Sequence, residues 1–476
     1  MRPKGLVRFL TLIPRSGYPG GEQFRRGNVN PDYQTLVDWD HRYLWHPFTQ
    51  MQGFVQEELL IIARGEGVYV YDTDGRRYLD GVSSIWATVH GHNRPELNQA
   101  IKAQLEKIAH STLLGLGNIP AIQLAQRLAA ITPPGLSKVF YSDSGSTAVE
   151  VALKLAYCYW QLQGKPQRQR FLKLAGAYHG DTLGAVAVGG IDIFHEIFKD
   201  LLFPTYTAPA TYCYRCPERD HCQQQCLTGL EELVAAHHQE LAAIILEPVM
   251  QGAAGMIPQP PGYLARVRQV ADRYGVLLIA DEVATGFGRT GRMFAGEHEG
   301  VTPDLLCLGK GLTGGYLPLA ATLATDQIYQ QFLGEYQEFK TFFHGHTYTG
   351  NPLAAAAALA SLDLFESDQV LLKLAARIDY LTQRLAALAD HPHIGDIRQR
   401  GFMVGLELVQ DKASREPFPV ARRTGHQVIL AARKLGAILR PLGDVVVLMP
   451  PLSISQAELT ELMDITSQAI DVATRG

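Results

Sequence analysis

Six cysteines are few for a chain of 476 residues, and they exclude a secreted scaffold held by dense disulfides. Long apolar runs are missing too. None approaches the roughly 20 consecutive apolar residues that cross a bilayer as a helix, although 46% of the residues are hydrophobic. Nor is charge of one sign in excess: 43 Lys and Arg stand against 47 Asp and Glu, a net charge of −4. That balance supplies no basic face for nucleic acid or anionic membrane. The length is enough for two domains with an ample core. The expectation is a cytoplasmic globular protein.

Residues 1–38 are set apart by composition. Arg2, Lys4, Arg8, Arg15, Arg25 and Arg26 face the single acid Glu22 within the first thirty positions. The apolar piece around Leu10 to Ile13 is too short for a secretory signal. A disordered extension, an upstream start codon or an Arg-rich transit peptide each fits, and the segment is left out of the fold.

What is present is a pair of short apolar runs, each closing on one charged residue. Val276 to Ala280 is too short for a buried helix and rich in branched residues, as a central parallel strand is. Asp281 follows at its carboxyl end, where open α/β sheets place their ligands. Leu305 to Leu308 repeats the pattern and delivers Lys310 just beyond it. Singly, each charge reads as an ordinary surface residue. Together, with Gly286, Gly288, Gly291, Gly309, Gly311, Gly314 and Gly315 around them, they suit pyridoxal phosphate. The lysine joins its aldehyde and the carboxylate pairs with its pyridinium nitrogen.

Strands and helices alternate through the centre of the chain, as in a parallel α/β sheet with right-handed crossovers. Val139 to Ser142 reads as a strand, and Asp143-Ser144-Gly145-Ser146 turns tightly into a helix. Thr147 and Glu150 have the spacing of a capping box at its start. Gly145 and Ser146 then present N–H groups at a helix N-terminus, a ready anion site; a plain N-cap is the simpler reading. Phe171 to Leu174 ends ahead of Tyr178-His179-Gly180, and Ala242 to Leu246 ends at Glu247. Leu59 to Ala63, Val68 to Tyr71 and Tyr78 to Leu79 read as short strands, the last two joined by an Asp74-Gly75 hairpin turn. Beyond about residue 372 a long helix precedes strands at 402–408, 437–439 and 445–448. The expected division is a large domain over 86–371, with 39–85 and 372–476 forming a small one.

The run Asp281-Glu282-Val283, then Gly286-Phe287-Gly288-Arg289-Thr290-Gly291 and Lys310, resembles the class III (ω-type) aminotransferases of PLP fold type I. The likeness covers almost all of residues 39–472. It implies an α/β fold with a mainly parallel sheet between helices, plus a smaller α+β domain built from both chain ends. It implies pyridoxal 5'-phosphate as cofactor and ping-pong amino transfer between small molecules. By the same resemblance Lys310, Asp281 and Tyr178 are catalytic. Ser144, Gly145 and Ser146 hold the phosphate, Tyr178 covers the ring, and Glu247 supports the site. His346 and Thr347 reach the neighbouring subunit's cofactor, which makes the enzyme a homodimer with shared sites. Phe48, Ile85, Trp86, Tyr178, Lys310, Gly345 and Arg440 contact substrate, Arg440 through a carboxylate. The branch of the family that the chain most resembles carries Tyr and Trp where this chain has Phe48 and Ile85, which leaves the amino donor open. Relatives acting on ω-amino acids, ornithine, GABA or glutamate semialdehyde are rival readings. A non-catalytic binding protein is another.

Four of the cysteines, Cys213, Cys216, Cys222 and Cys226, crowd a polar insert over 211–228, with His221 among them. Four thiols suit tetrahedral zinc or an iron–sulfur cluster, but the spacing matches no standard finger. Reduced thiols in a variable loop, without metal, are the expectation.

Overall fold

The computed structural model describes residues 31–475. The described residues divide into two compact units, one ending at Ile61 and the other beginning at Ile62. The composition-based extension over 1–38 lies outside the described residues as far as residue 30. From there the chain is ordered earlier than its composition suggests. Helix Tyr33–Tyr43 begins five positions before Asp38, and Asp32 caps it by accepting the Thr35 N–H at 2.7 Å. Within this first unit Tyr33 donates to the Leu59 carbonyl at 2.8 Å, and His46 sits 2.9 Å from Asp40.

The second unit is built on a seven-stranded sheet. Its order is Leu136–Ser142, Ala320–Thr325, Leu305–Leu308, Leu277–Asp281, Leu241–Leu246, Arg170–Leu174, Tyr206–Ala208. The Ala320–Thr325 strand runs antiparallel to both neighbours, and the other pairings are parallel. The central strands are apolar on both faces because both are covered. Ala243, Ile245, Leu277, Ile279, Leu305 and Cys307 pack with helix Gly145–Leu162 on one face. The alternating Leu172, Ile244, Leu246 and Leu278 pack with helices Gln225–His237 and Tyr263–Tyr274 on the other. Period-2 alternation thus feeds two separate cores from one set of strands.

The two chain ends share a smaller sheet. The hairpin Tyr69–Asp72 to Arg77–Asp80 turns at Gly75, with Ile62–Glu66 on one edge and the C-terminal strand Ala437–Ile438 in parallel on the other. The first of these strands begins three residues later than the apolar run at Leu59 suggests. A third sheet orders Ile394–Arg400, Met403–Leu408, Val445–Leu448 and Arg440–Leu442, all antiparallel. No helix among the described residues is long and apolar enough to cross a membrane.

The capping box differs from the expected one. Ser144 is the N-cap, and Thr147 is its reciprocal partner. Glu150 lies a turn further on and reaches away. It accepts from Thr182 Oγ1 at 2.5 Å and from the Gly184 N–H at 2.7 Å, capping helix Leu183–Ala187 instead.

The cysteine insert is docked by one buried acid. Glu407 accepts from the Tyr212 hydroxyl, from Arg215 Nε at 2.8 Å and from Arg398 at 2.5 Å. Burial alone would raise its pKa, but the Tyr212 hydroxyl and the two guanidiniums outweigh burial and leave it lowered. Its contribution is therefore present above the ordinary glutamate range and lost as pH falls through the folded value. Urea unfolding should show Glu407→Gln less stable by about 3 kcal/mol at neutral pH, with the gap closing as pH falls below about 4.

Candidate functional site

Asp281 closes its strand directly beside Cys307 on the parallel neighbour. Lys310 stands three residues further along that neighbour and opens the one-turn segment Lys310–Thr313 at φ 40°. One wedge sets the spacing around both. Val283 donates its N–H to Asp281 Oδ1 at 3.1 Å, and its side chain fills the gap between two glycines. A Cβ at Gly145 would fall 2.5 Å from Val283 Cγ1, and one at Gly309 would fall 3.3 Å from it. Glycine at these positions lets the turn after Ser142 and both strand ends meet around one valine.

Asp281 is buried, and its second oxygen lies 2.7 Å from His179 Nδ1. The Nε2 of that ring is buried without a partner. Glu247 accepts the Tyr178 N–H at 3.2 Å and the Gly252 N–H at 2.8 Å. Burial pushes its carboxyl up to about 7, with His179 opposing and Asp281 adding to the rise. Lys310 is moved the other way. Loss of solvent lowers its pKa, against the pull of Asp281 and Glu247, while Arg289 and Arg440 reinforce the fall. Its ammonium lies 5.1 Å from the Trp86 ring centre. A lysine pushed toward its neutral form is a better nucleophile and base than a solvated one.

The expected anion turn is interlocked with the tyrosine loop. Ser144 Oγ accepts the Thr147 N–H at 3.3 Å, so this hydroxyl serves the helix cap. Ser146 Oγ accepts the Asp181 N–H at 3.2 Å. Gly180, at φ 116°, packs so closely that a Cβ would fall 2.0 Å from that hydroxyl. Tyr178 donates to Asp181 at 2.8 Å.

Arg440 opens its strand half-buried and makes no ion pair among the described residues. Burial lowers its pKa, with Tyr178 as the one charge partner that offsets this. Trp86 is buried beside Gly252, and Ile85 is exposed. Phe48 belongs to the first unit. Gly345, His346 and Thr347 line a groove of about 1080 Å³ with His110, Phe140 and Tyr141. None of Lys310, Asp281, Tyr178 or Arg440 is part of that lining. The structure therefore brings together Asp281, Lys310, Tyr178, Trp86 and Arg440, and it sets 345–347 elsewhere on the same chain.

His179, Val283 and Arg289 escaped the sequence reading as site residues. All three lie inside the quoted motifs; what was missing was the fold that turns them inward. Among the described residues no three His, Cys, Asp or Glu side chains are arranged to hold a metal ion. Cys213 and Cys222 are exposed, and all six cysteines are free.

The family model described as Aminotransferase class-III matches residues 52–470. The chain belongs to that family. It is 56% identical over 452 residues to the adenosylmethionine-8-amino-7-oxononanoate aminotransferase of Geobacter sulfurreducens, covering 94% of this chain and 100% of that protein. The crystal structure of the enzyme of that name from Methanocaldococcus jannaschii matches with a TM-score of 0.89 at 48% identity, over 93% of this chain and 99% of the other. An (S)-enantioselective omega-transaminase from Thermomicrobium roseum matches with a TM-score of 0.89 at 37% identity, over 94% and 100%. The fold is that of these aminotransferases, a mostly parallel sheet between helices.

Glu247 makes the site pH-sensitive. Its ordinary value is 4.5 and its folded value about 7. Between the two the folded chain holds a proton that the unfolded chain has released, so stability declines as pH rises across that window. The share of Glu247 is about 3 kcal/mol. Glu282, buried and shifted to about 7 as well, adds a slope of its own. Glu247→Gln should remove its share, so that denaturant unfolding at pH 5 and pH 7 differs less than in the native chain.

Proposed function

We propose that this aminotransferase transfers an amino group from S-adenosyl-L-methionine to 8-amino-7-oxononanoate, forming 7,8-diaminononanoate for biotin synthesis in the cytoplasm. The observation that carries the reading is Arg440, a half-buried guanidinium without an acid partner among the described residues, whose charge acts on both Lys310 and Tyr178. A fork of that kind takes a substrate carboxylate in two parallel hydrogen bonds. The relatives' shared name and their near-complete coverage support the same substrate.

The donor set fits pyridoxal 5'-phosphate. Lys310 offers an amine with lowered pKa, Asp281 a carboxylate braced by His179, and the Gly145 turn a helix N-terminus for the phosphate. When bound, the cofactor supplies an aldehyde carbon that takes up the amino group and a protonated ring that accepts the electron pair released at the substrate carbon. Asp281 keeps the ring nitrogen protonated. The Lys310 amine takes the proton from the substrate carbon and returns it. Tyr178 would cover the ring, its N–H held by Glu247 and its hydroxyl by Asp181. Gly345, His346 and Thr347 complete the partner subunit's site in a homodimer, and Ile85 and Trp86 line the substrate channel.

L-Lysine is the second reading of the donor. It rests on Phe48 and the exposed Ile85 standing where the likeness has Tyr and Trp. Diaminononanoate formation should appear with S-adenosylmethionine and not with lysine alone; the reverse result reassigns the donor. Lys310→Ala should lose the visible band of the protein-linked cofactor and all turnover together. Retained turnover with either donor would overturn the role of Lys310.

A further inference from the structure

Arg398 stands on strand Ile394–Arg400 of the third sheet and is 4% exposed. Its Nη1 donates to Glu407 at 2.5 Å and to Asp396 at 2.9 Å. Its Nε and Nη2 donate to the Gly255 carbonyl at 3.0 and 2.8 Å, and Nε also reaches the Met256 carbonyl at 3.1 Å. A small sheet does not need such a group for stability, since well-packed apolar side chains in place of a buried ion pair are often as stable or more so. What an apolar side chain could not do is receive the two carbonyls.

Those carbonyls lie in the turn of the hairpin Met250–Gln251 to Ile257–Pro258. Gly255 has φ 113°, and Met256 has φ 56° although it is not glycine. Such an angle persists in an ordinary residue only where the surroundings impose it. Gly405, on the adjoining strand Met403–Leu408, is so close that a Cβ would fall 2.8 Å from the Gly255 oxygen. The third sheet thus meets this turn through a guanidinium and a glycine. Gly255 and Met256 both return their N–H to the Gly252 carbonyl, at 3.1 and 3.0 Å, so a shift at 255–256 is passed to Gly252. Gly252 in turn donates to Glu247 at 2.8 Å, and a Cβ on it would meet the Trp86 ring at 3.2 Å. Beside it, the Gln251 side chain donates to the Ala175 carbonyl at 3.2 Å, three residues before Tyr178.

We propose that Arg398 is a positioning residue: by holding the Gly255 and Met256 carbonyls it fixes the 250–258 hairpin, and with it the placement of Trp86 and Glu247 beside Lys310. The fork is essential to this. It meets an acid with one nitrogen and the turn with the other two, whereas a lysine ammonium is a point donor that cannot span both. Glu407 then has two duties. It orients Arg398, and it docks the cysteine insert through Tyr212 and Arg215. Insert and substrate site are therefore joined through one carboxylate and one guanidinium.

Two readouts on the full-length, cofactor-loaded enzyme test this, and only the second rests on the substrate reading above. Hydrogen exchange of Arg398→Lys should accelerate about tenfold or more over residues 249–258, while strand Leu277–Asp281 keeps its protection. The KM for 8-amino-7-oxononanoate should rise about fivefold or more, with kcat changed by less than about threefold. That rise should shrink below about twofold when Trp86→Phe is already present, since the effect runs through the indole. Arg398→Met, which fills the space without the donors, is carried in parallel and read by the same criteria where the lysine variant does not fold. Unchanged exchange over 249–258, exchange raised equally in both segments, or an undiminished KM rise in the double variant would each overturn the proposal. Absence of oxononanoate turnover in the native enzyme would instead count against the substrate and leave the exchange result to decide the role of Arg398.

Discussion

A carboxylate and an amine, on the ends of adjacent parallel strands, are held around a valine that touches two glycines. Val283 sits between Gly145 and Gly309 while its backbone steadies Asp281. Three elements that are distant in sequence are brought to one point by a single apolar side chain: the turn opening helix Gly145–Leu162, the Asp281 strand end and the Lys310 strand end. Both glycines are fixed by this contact, and so is the register that puts Asp281 beside Cys307. The chemistry of the site follows from that packing.

The charges around this point are balanced by placement. Asp281 and Glu247 oppose the desolvation of Lys310, while Arg289 and Arg440 work with it. Glu247 reaches both walls, taking the Tyr178 N–H on one side and the Gly252 N–H beneath Trp86 on the other. Among the described residues Arg440 makes no ion pair.

Much of this was legible in the chain. The strands Leu305–Leu308 and Val445–Leu448 have the bounds that their apolar runs announce, because fully buried strands stop where the burial stops. Strand Ile394–Arg400 gave no such signal. Asp396, Arg398 and Gln399 break its pattern, and Arg398 is buried only because Glu407 and the Gly255 carbonyl receive it. Helix Tyr33–Tyr43 buries no residue, so its stretch looked like the basic segment before it. The turn at Ser83 to Trp86 was invisible for another reason. Its strain falls on non-glycine residues, and the guanidinium that donates to its Trp86 carbonyl lies some two hundred positions away. The placement of Asp281 and Lys310 was readable because each closes or follows a short apolar strand with its motif around it. His179 was not, since only the fold turns it toward Asp281.

The central claim is that Lys310 is the lysine that carries the cofactor opposite Asp281. Reducing the cofactor-loaded enzyme with borohydride freezes the linkage, and peptide mass spectrometry then reads its position. The account predicts one phosphopyridoxyl group per chain, on the peptide containing Lys310. Attachment at any other lysine, or none at full cofactor occupancy, would contradict it.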